Sequence, residues 1–298
     1  MKDFRVAAVQ MNSLLGRNAE NLQLHVPYFR QAAEAGAQLL VFPEQSVSGH
    51  WAEPGFVQAA EAVPDGPSTR RLIELCREYD IHAAAGLAEA AAGAVYNSYL
   101  LIAPGGLLGV QRKVHPSGDE YFYYRRGGSF DVFDLPLARV GANICADCNY
   151  PESARVAALK GAEVLLAPHA ARCGGAPADA EDEASRVRAN RRTAEKINSV
   201  RAADNGMFVI YCNQVGVAGQ VQGGSDFTGT RDVVHAGGVM IFKPNGELLA
   251  ASKAERFADE MVVADLAAAD LAAVRGKRCF SLTNRRPDAY GVIADPNV

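Results

Sequence analysis

Short apolar runs alternate along the chain with longer segments whose apolar residues recur every three or four positions, and this alternation predicts an α/β protein. Phe4 to Gln10, Leu39 to Phe42, Ile81 to Ala88 and Ala138 to Ile144 read as strands. Asn18 to Ala35 reads as a helix, with Asn18 a candidate N-cap and Gly36 a candidate stop, and Ser68 to Tyr79 as a second. Val95 to Ala103 and Leu107 to Lys113 form a hairpin turned by Pro104-Gly105-Gly106. Further on, Glu152 to Lys160 and Glu183 to Ala203 are helical, and Val164 to Ala167 and Met207 to Asn213 are strands. Gly238 to Lys243 and Glu247 to Ala251 pair through Pro244-Asn245-Gly246, and Met261 to Asp265 is a last strand. Two β-rich halves with helices outside would pack sheet on sheet.

Three reactive side chains fall at the carboxyl ends of these strands. Glu44 follows Leu39 to Phe42 through Pro43, Lys113 closes the second hairpin strand, and Cys145 closes the run Ala138 to Ile144. Ligands of open α/β sheets bind at that edge, so the three make a plausible site. Pro151 suits the first turn of the following helix, which puts Cys145 in a strand-to-helix turn whose free N–H groups would favour thiolate over thiol. Cysteine is otherwise most often a small buried hydrophobe, the reading given to Cys76, Cys212 and Cys279. Cys145 and Cys148 form a CxxC, but a structural zinc site needs four ligands and no second pair exists, so Cys148 reads as a thiol in the pocket wall or in the layer just behind it, and no metal is expected. His115 would be a fair base for a thiol; a strand-end His before Pro116 more simply orients the loop of Lys113. Arg172 comes just after Pro168-His169 at the same edge, where a guanidinium could bind a carboxylate in bidentate fashion. Trp51, His50 and Tyr150 could line a pocket or merely pack. The Gly-rich run Gly219 to Gly229 lacks a Lys-Ser/Thr ending, so it reads as a mobile rim segment rather than a phosphate loop.

Composition narrows the partners. The 298 residues carry a formal charge of -4, which gives no footprint for nucleic acid or an anionic membrane and leaves small molecules as the default substrates. Ala170 to Ala184 is the single compositional break and is too short to separate domains, so residues 1–298 read as one. Six scattered cysteines suit a reducing cytosol, no apolar stretch could span a bilayer, and no signal-peptide pattern opens the chain, all of which point to a cytoplasmic protein.

The chain resembles the nitrilase superfamily of carbon–nitrogen hydrolases. The resemblance rests on FPE at Phe42 to Glu44, RKVHP at Arg112 to Pro116, GANICADCNYPE at Gly141 to Glu152, and LKGAEVLLAP at Leu159 to Pro168, with later segments at Val200 to Gly216 and Gly237 to Leu248. It implies a four-layer α-β-β-α sandwich, a Glu44–Lys113–Cys145 triad, and a second glutamate, Glu120, that positions substrate and lysine. It also implies cofactor-free chemistry through a thioester on Cys145, an oxyanion held by Lys113 and the N–H of Ala146, and a homodimer or larger assembly. Nitrilases carry Trp-Glu after the cysteine; Ala146-Asp147 stands here, which favours linear amides or N-carbamoyl groups over nitriles. Asn149 to Glu152 resembles aliphatic amidases, whereas the length is nearer the N-carbamoyl amino-acid hydrolases. Tyr150, Arg172, His169 and Trp51 are the candidate substrate contacts, with a carboxylate-bearing substrate expected from Arg172. A nitrilase or an acyltransferase could use the same acyl-enzyme, and a non-catalytic binding protein would keep the sandwich without needing the triad.

Overall fold

The computed structural model describes residues 1–222 and 229–295, so most of the Gly219 to Gly229 rim segment lies outside the described residues. Its strands are β1 (Phe4–Gln10), β2 (Leu39–Val41), β3 (His82–Ala91), β4 (Ala94–Ala103), β5 (Gly106–Arg112), β6 (Val132–Asp134) and β7 (Arg139–Ala142). They continue with β8 (Val164–His169), β9 (Phe208–Asn213), β10 (Val215–Gln222), β11 (Thr230–Ala236), β12 (Val239–Phe242), β13 (Leu248–Ala251) and β14 (Glu260–Leu266). The helices are α1 (Asn18–Glu34), α2 (Pro67–Tyr79), the single turn α3 (Glu120–Tyr123), α4 (Pro151–Leu159), α5 (Ala180–Asn205) and α6 (Ala268–Arg275).

One six-stranded sheet runs β14-β1-β2-β3-β4-β5 and the other β13-β12-β9-β8-β7-β6, while β10 and β11 form a separate ribbon. Each sheet holds three adjacent parallel strands, β1-β2-β3 and β7-β8-β9, flanked by antiparallel ones. Parallel strands covered on both faces need apolar side chains at every position, which is why the sequence shows continuous runs there. Along β1, Val6 and Ala8 enter the core between the sheets with Val164, Leu166, Phe208 and Ile210. The intervening Ala7 and Val9 pack outward against Leu22, Phe29, Leu72 and Leu75 of α1 and α2. On the far side, Leu165, Ala167 and Val209 meet Ala154, Ala157, Ala194 and Ala202 of α4 and α5. The four layers are therefore α-β-β-α, as the resemblance implies. No helix among the described residues is long and apolar enough to cross a membrane.

Several local expectations change. Arg17, not Asn18, precedes the first turn of α1, and the Asn18 amide instead donates to Ala59 O at 2.9 Å and Glu61 Oε1 at 2.6 Å. Helix α5 begins three residues ahead of the expected Glu183, because the Asp179 side chain accepts from Asp182 N at 2.8 Å and caps it.

Candidate active site

Glu44, Lys113 and Cys145 meet where the carboxyl ends of β2, β5 and β7 converge. Behind Glu44, the chain turns through Gln45 at φ 45°, directly over Gly86 of β3. A Cβ at Gly86 would stand 2.1 Å from the Gln45 nitrogen, so only glycine allows the turn to lie this close. Gln214, after β9 of the opposite sheet, donates to the Glu44 carbonyl at 2.7 Å. Lys113 is anchored by its own N–H to Asn97 O at 2.8 Å and by its carbonyl, which accepts from Gly127 N at 2.7 Å.

The side chains form one buried network. The Lys113 ammonium, 2% exposed, donates to Glu44 Oε1 at 2.8 Å and to Glu120 Oε2 at 2.7 Å. Asn97 Nδ2 donates to the same two carboxylates, at 2.7 and 2.9 Å. Ala170 N donates to Glu44 Oε2 at 2.7 Å across the sheet interface, and His50 Nε2 lies 3.1 Å from Glu120 Oε1. Ser117 adds its N–H and hydroxyl to Glu120. Burial alone would raise both carboxyls, but the Lys113 ammonium outweighs it, with His50 adding to the effect. Glu44 is held below the usual carboxylate range and Glu120 well below it. Burial would likewise lower Lys113, yet Glu44, Cys145 and Glu120 push it well above the usual lysine range. The resting network is two carboxylates around one ammonium.

Cys145 departs from the expected thiolate. Its backbone sits at φ 48°, in a left-handed elbow that leads into a single 3-10 turn, Cys145–Asn149, before α4 begins at Pro151. The N-terminus of α4 is therefore set apart from the cysteine by that turn. Burial first, and then the Glu44 carboxylate, push the thiol well above its usual value, with Lys113 only partly offsetting them. Asp147, fully buried two residues on, accepts from Ile144 N at 3.1 Å and from His115 N and Nδ1 at 2.8 Å each. His115 thus ties the Lys113 strand end to the cysteine elbow, the orienting part expected of it. Cys148 is buried, donates from Sγ to Asn143 O at 3.4 Å, and is raised by burial.

A cavity of about 340 Å³ opens over these groups, lined by Cys145, Glu120, Ser117, His50, Ala170 and Arg172 among others. Arg172 donates to His50 O at 3.3 Å and has no ion-pair partner within 4.0 Å among the described residues. Tyr150 is 43% exposed and stacks on His115 with ring centroids 3.9 Å apart, outside the cavity wall. His169 donates from Nδ1 to Ala167 O at 2.9 Å and lies against Tyr211, behind the site. Trp51 packs with Phe56, Ala88 and Tyr124 beside the mouth. Ala146 is buried next to Cys145. Sequence reasoning missed Asn97 and Arg231; an Asn inside the apolar run Val95 to Ala103 is the signal that could have found the first, since a buried amide is costly without partners. Glu44, His50 and Glu120 bring possible metal ligands within 4.8 Å of one another, but the Lys113 ammonium already donates to both carboxylates, so a cation there would have to displace it.

The family model for carbon–nitrogen hydrolases matches residues 5–276. A nitrilase of Pyrococcus abyssi (strain GE5 / Orsay) is 30% identical over 293 residues, covering 96% of this chain and 98% of that one. The citrullinase of Francisella tularensis subsp. tularensis is 30% identical over 308 aligned positions, covering 98% and 99%. The crystal structure of a carbon–nitrogen hydrolase from Helicobacter pylori G27 matches with a TM-score of 0.84 at 24% identity, over 99% of this chain and all of the other.

Proposed function

The chain belongs to the carbon–nitrogen hydrolase family, and from that premise we propose that it hydrolyses a linear amide or ureido (N-carbamoyl) group of a small carboxylate-bearing substrate through a thioester on Cys145. The observation that carries this reading is the Glu44–Lys113–Glu120 network set beside a neutral thiol at the floor of a cavity that also exposes Arg172. The relative named citrullinase acts, by that name, on a ureido amino acid, which supports the substrate class.

As Cys145 Sγ attacks the substrate carbonyl carbon, its proton passes to Glu44 and an oxyanion forms. The Lys113 ammonium and the N–H of Ala146 hold that charge; the first N–H groups of a 3-10 turn have no carbonyl within the turn to bond. The intermediate collapses to the thioester, and the leaving ammonia takes the proton back from Glu44. Glu44 then deprotonates a water that attacks the thioester, and the sulfur departs as a thiol. Proton transfer is unfavourable in the empty site, where the thiol is raised and the carboxyl lowered. Developing charge on the oxygen beside Lys113 makes it favourable only once substrate is bound.

Ammonia release across amides, ureido acids and nitriles tests the reaction, and a matched acid and primary-amide pair tests the carboxylate. The acid should have the higher kcat/KM in wild type, and Arg172→Ala should abolish that preference. Equal preference in both proteins leaves a neutral aliphatic amide as substrate, and turnover of nitriles alone would replace the reading.

A further inference from the structure

The cavity over Cys145 is only the inner of two chambers. A second, of about 420 Å³, adjoins it and shares four wall residues with it: Ala52, Asp119, Arg172 and Arg231. The inner chamber lies at the low end of the roughly 300–1,000 Å³ usual for ligand pockets, so a substrate longer than a simple amide extends into the outer one.

Charges of both signs stand at this junction. Arg172 and Arg231 are close enough for each to feel the other, and Arg172 also feels Asp119 and Glu53. Arg231 reaches Asp119 at 3.7 Å, a loose pair between half-exposed groups that is worth little by itself. Glu53 lines the outer chamber and accepts from Gln222 N at 2.6 Å. A lone substrate carboxylate would satisfy the guanidiniums and leave both acids facing it. A headgroup carrying an anionic and a cationic group on one carbon satisfies both sides.

We propose that the junction of the two chambers is a headgroup subsite for a free α-amino acid, with Arg172 and Arg231 on the α-carboxylate and Asp119 and Glu53 on the α-ammonium. The inference rests on the hydrolase reading and narrows it. The reacting amide or ureido group is then at the far end of the side chain, and amino acids carbamoylated on the α-nitrogen, which lack the ammonium, are the poorer class.

Binding and turnover are read separately so that the two readings fail separately. Calorimetry on Cys145→Ala compares citrulline and glutamine with their Nα-acetyl derivatives; the free forms should bind at least tenfold tighter. Asp119→Asn, or Glu53→Gln should the first variant misfold, should shrink that ratio severalfold, and Arg172→Ala should weaken free and acetylated forms alike. Equal binding of free and acetylated forms, no binding of either pair, or a ratio unmoved by the acidic substitutions would overturn the headgroup subsite. Selective binding without ammonia release by the wild-type protein would instead sink the hydrolase reading and leave the subsite standing.

Discussion

Two cysteines three residues apart have opposite prospects. Both thiols are raised by burial, but Cys145 alone borders the cavity and the Glu44–Lys113 pair, whereas Cys148 points back to the Asn143 carbonyl. Cys145→Ala should fold normally and show no turnover, while Cys148→Ala should keep most of it; intact mass spectrometry should find the acyl group on Cys145. Glu44→Gln preserves shape but cannot take a proton, so kcat should fall by at least about 100-fold, the usual scale of general-base loss. Its network would keep the Glu120–Lys113 contact, so circular dichroism should be unchanged. Turnover within a few-fold of wild type would move the base to another group. The reactive residues themselves were legible because chemistry-bearing side chains at strand ends stand out against apolar runs. The protonation state of Cys145 was not, because it depends on the 3-10 turn that separates it from α4 and on how deeply the site is buried.

At the scale of elements, β3 sets the position of the Glu44 turn through Gly86. Gly86→Ala would put a methyl group 2.1 Å from the Gln45 nitrogen, and since that neighbour is backbone, something must shift. A loss of about 3 kcal/mol is expected from such overpacking. A displacement near 1 Å at Glu44 could cost kcat about 100-fold. Denaturant titration and steady-state kinetics would show both; a stable, fully active variant would mean that the turn adapts. The long apolar strands and the helices were readable from periodicity to within a few residues at their ends. The β10–β11 ribbon was not, because Gly216 and Gly219 interrupt its alternation and its side chains are only buried one in three along much of β10. Helix α6 was also missed, since its Ala-rich sequence offers little contrast between faces.

Across the whole molecule, acid should weaken the fold well before it reaches the carboxylates. His25 and His235 are fully buried, and burial lowers them to about 4 and about 3. The unfolded chain binds these protons near pH 6.5 and the folded chain does not, so stability falls as pH drops below about 6.5. Between pH 7 and pH 5 each imidazole should cost about 2 kcal/mol. Glu44 and Glu120 act in a lower window: with depressed folded values, their contribution persists down to the ordinary carboxylate range, near 4.3, and is lost below it. Urea unfolding at pH 7, 6 and 5 should therefore show a fall that His25→Gln and His235→Gln reduce; a flat profile would contradict neutral buried imidazoles.

Glu44 takes hydrogen bonds from β4 of one sheet, from the loop after β8 of the other, and through its carbonyl from the end of β9. No hinge or lone loop carries it. Enzymes whose reactive groups ride on a flexible segment lose activity at denaturant concentrations that leave the rest intact. This one should not: inactivation and loss of sheet signal should share a single midpoint, because disassembling the acid means separating the two halves of the sandwich.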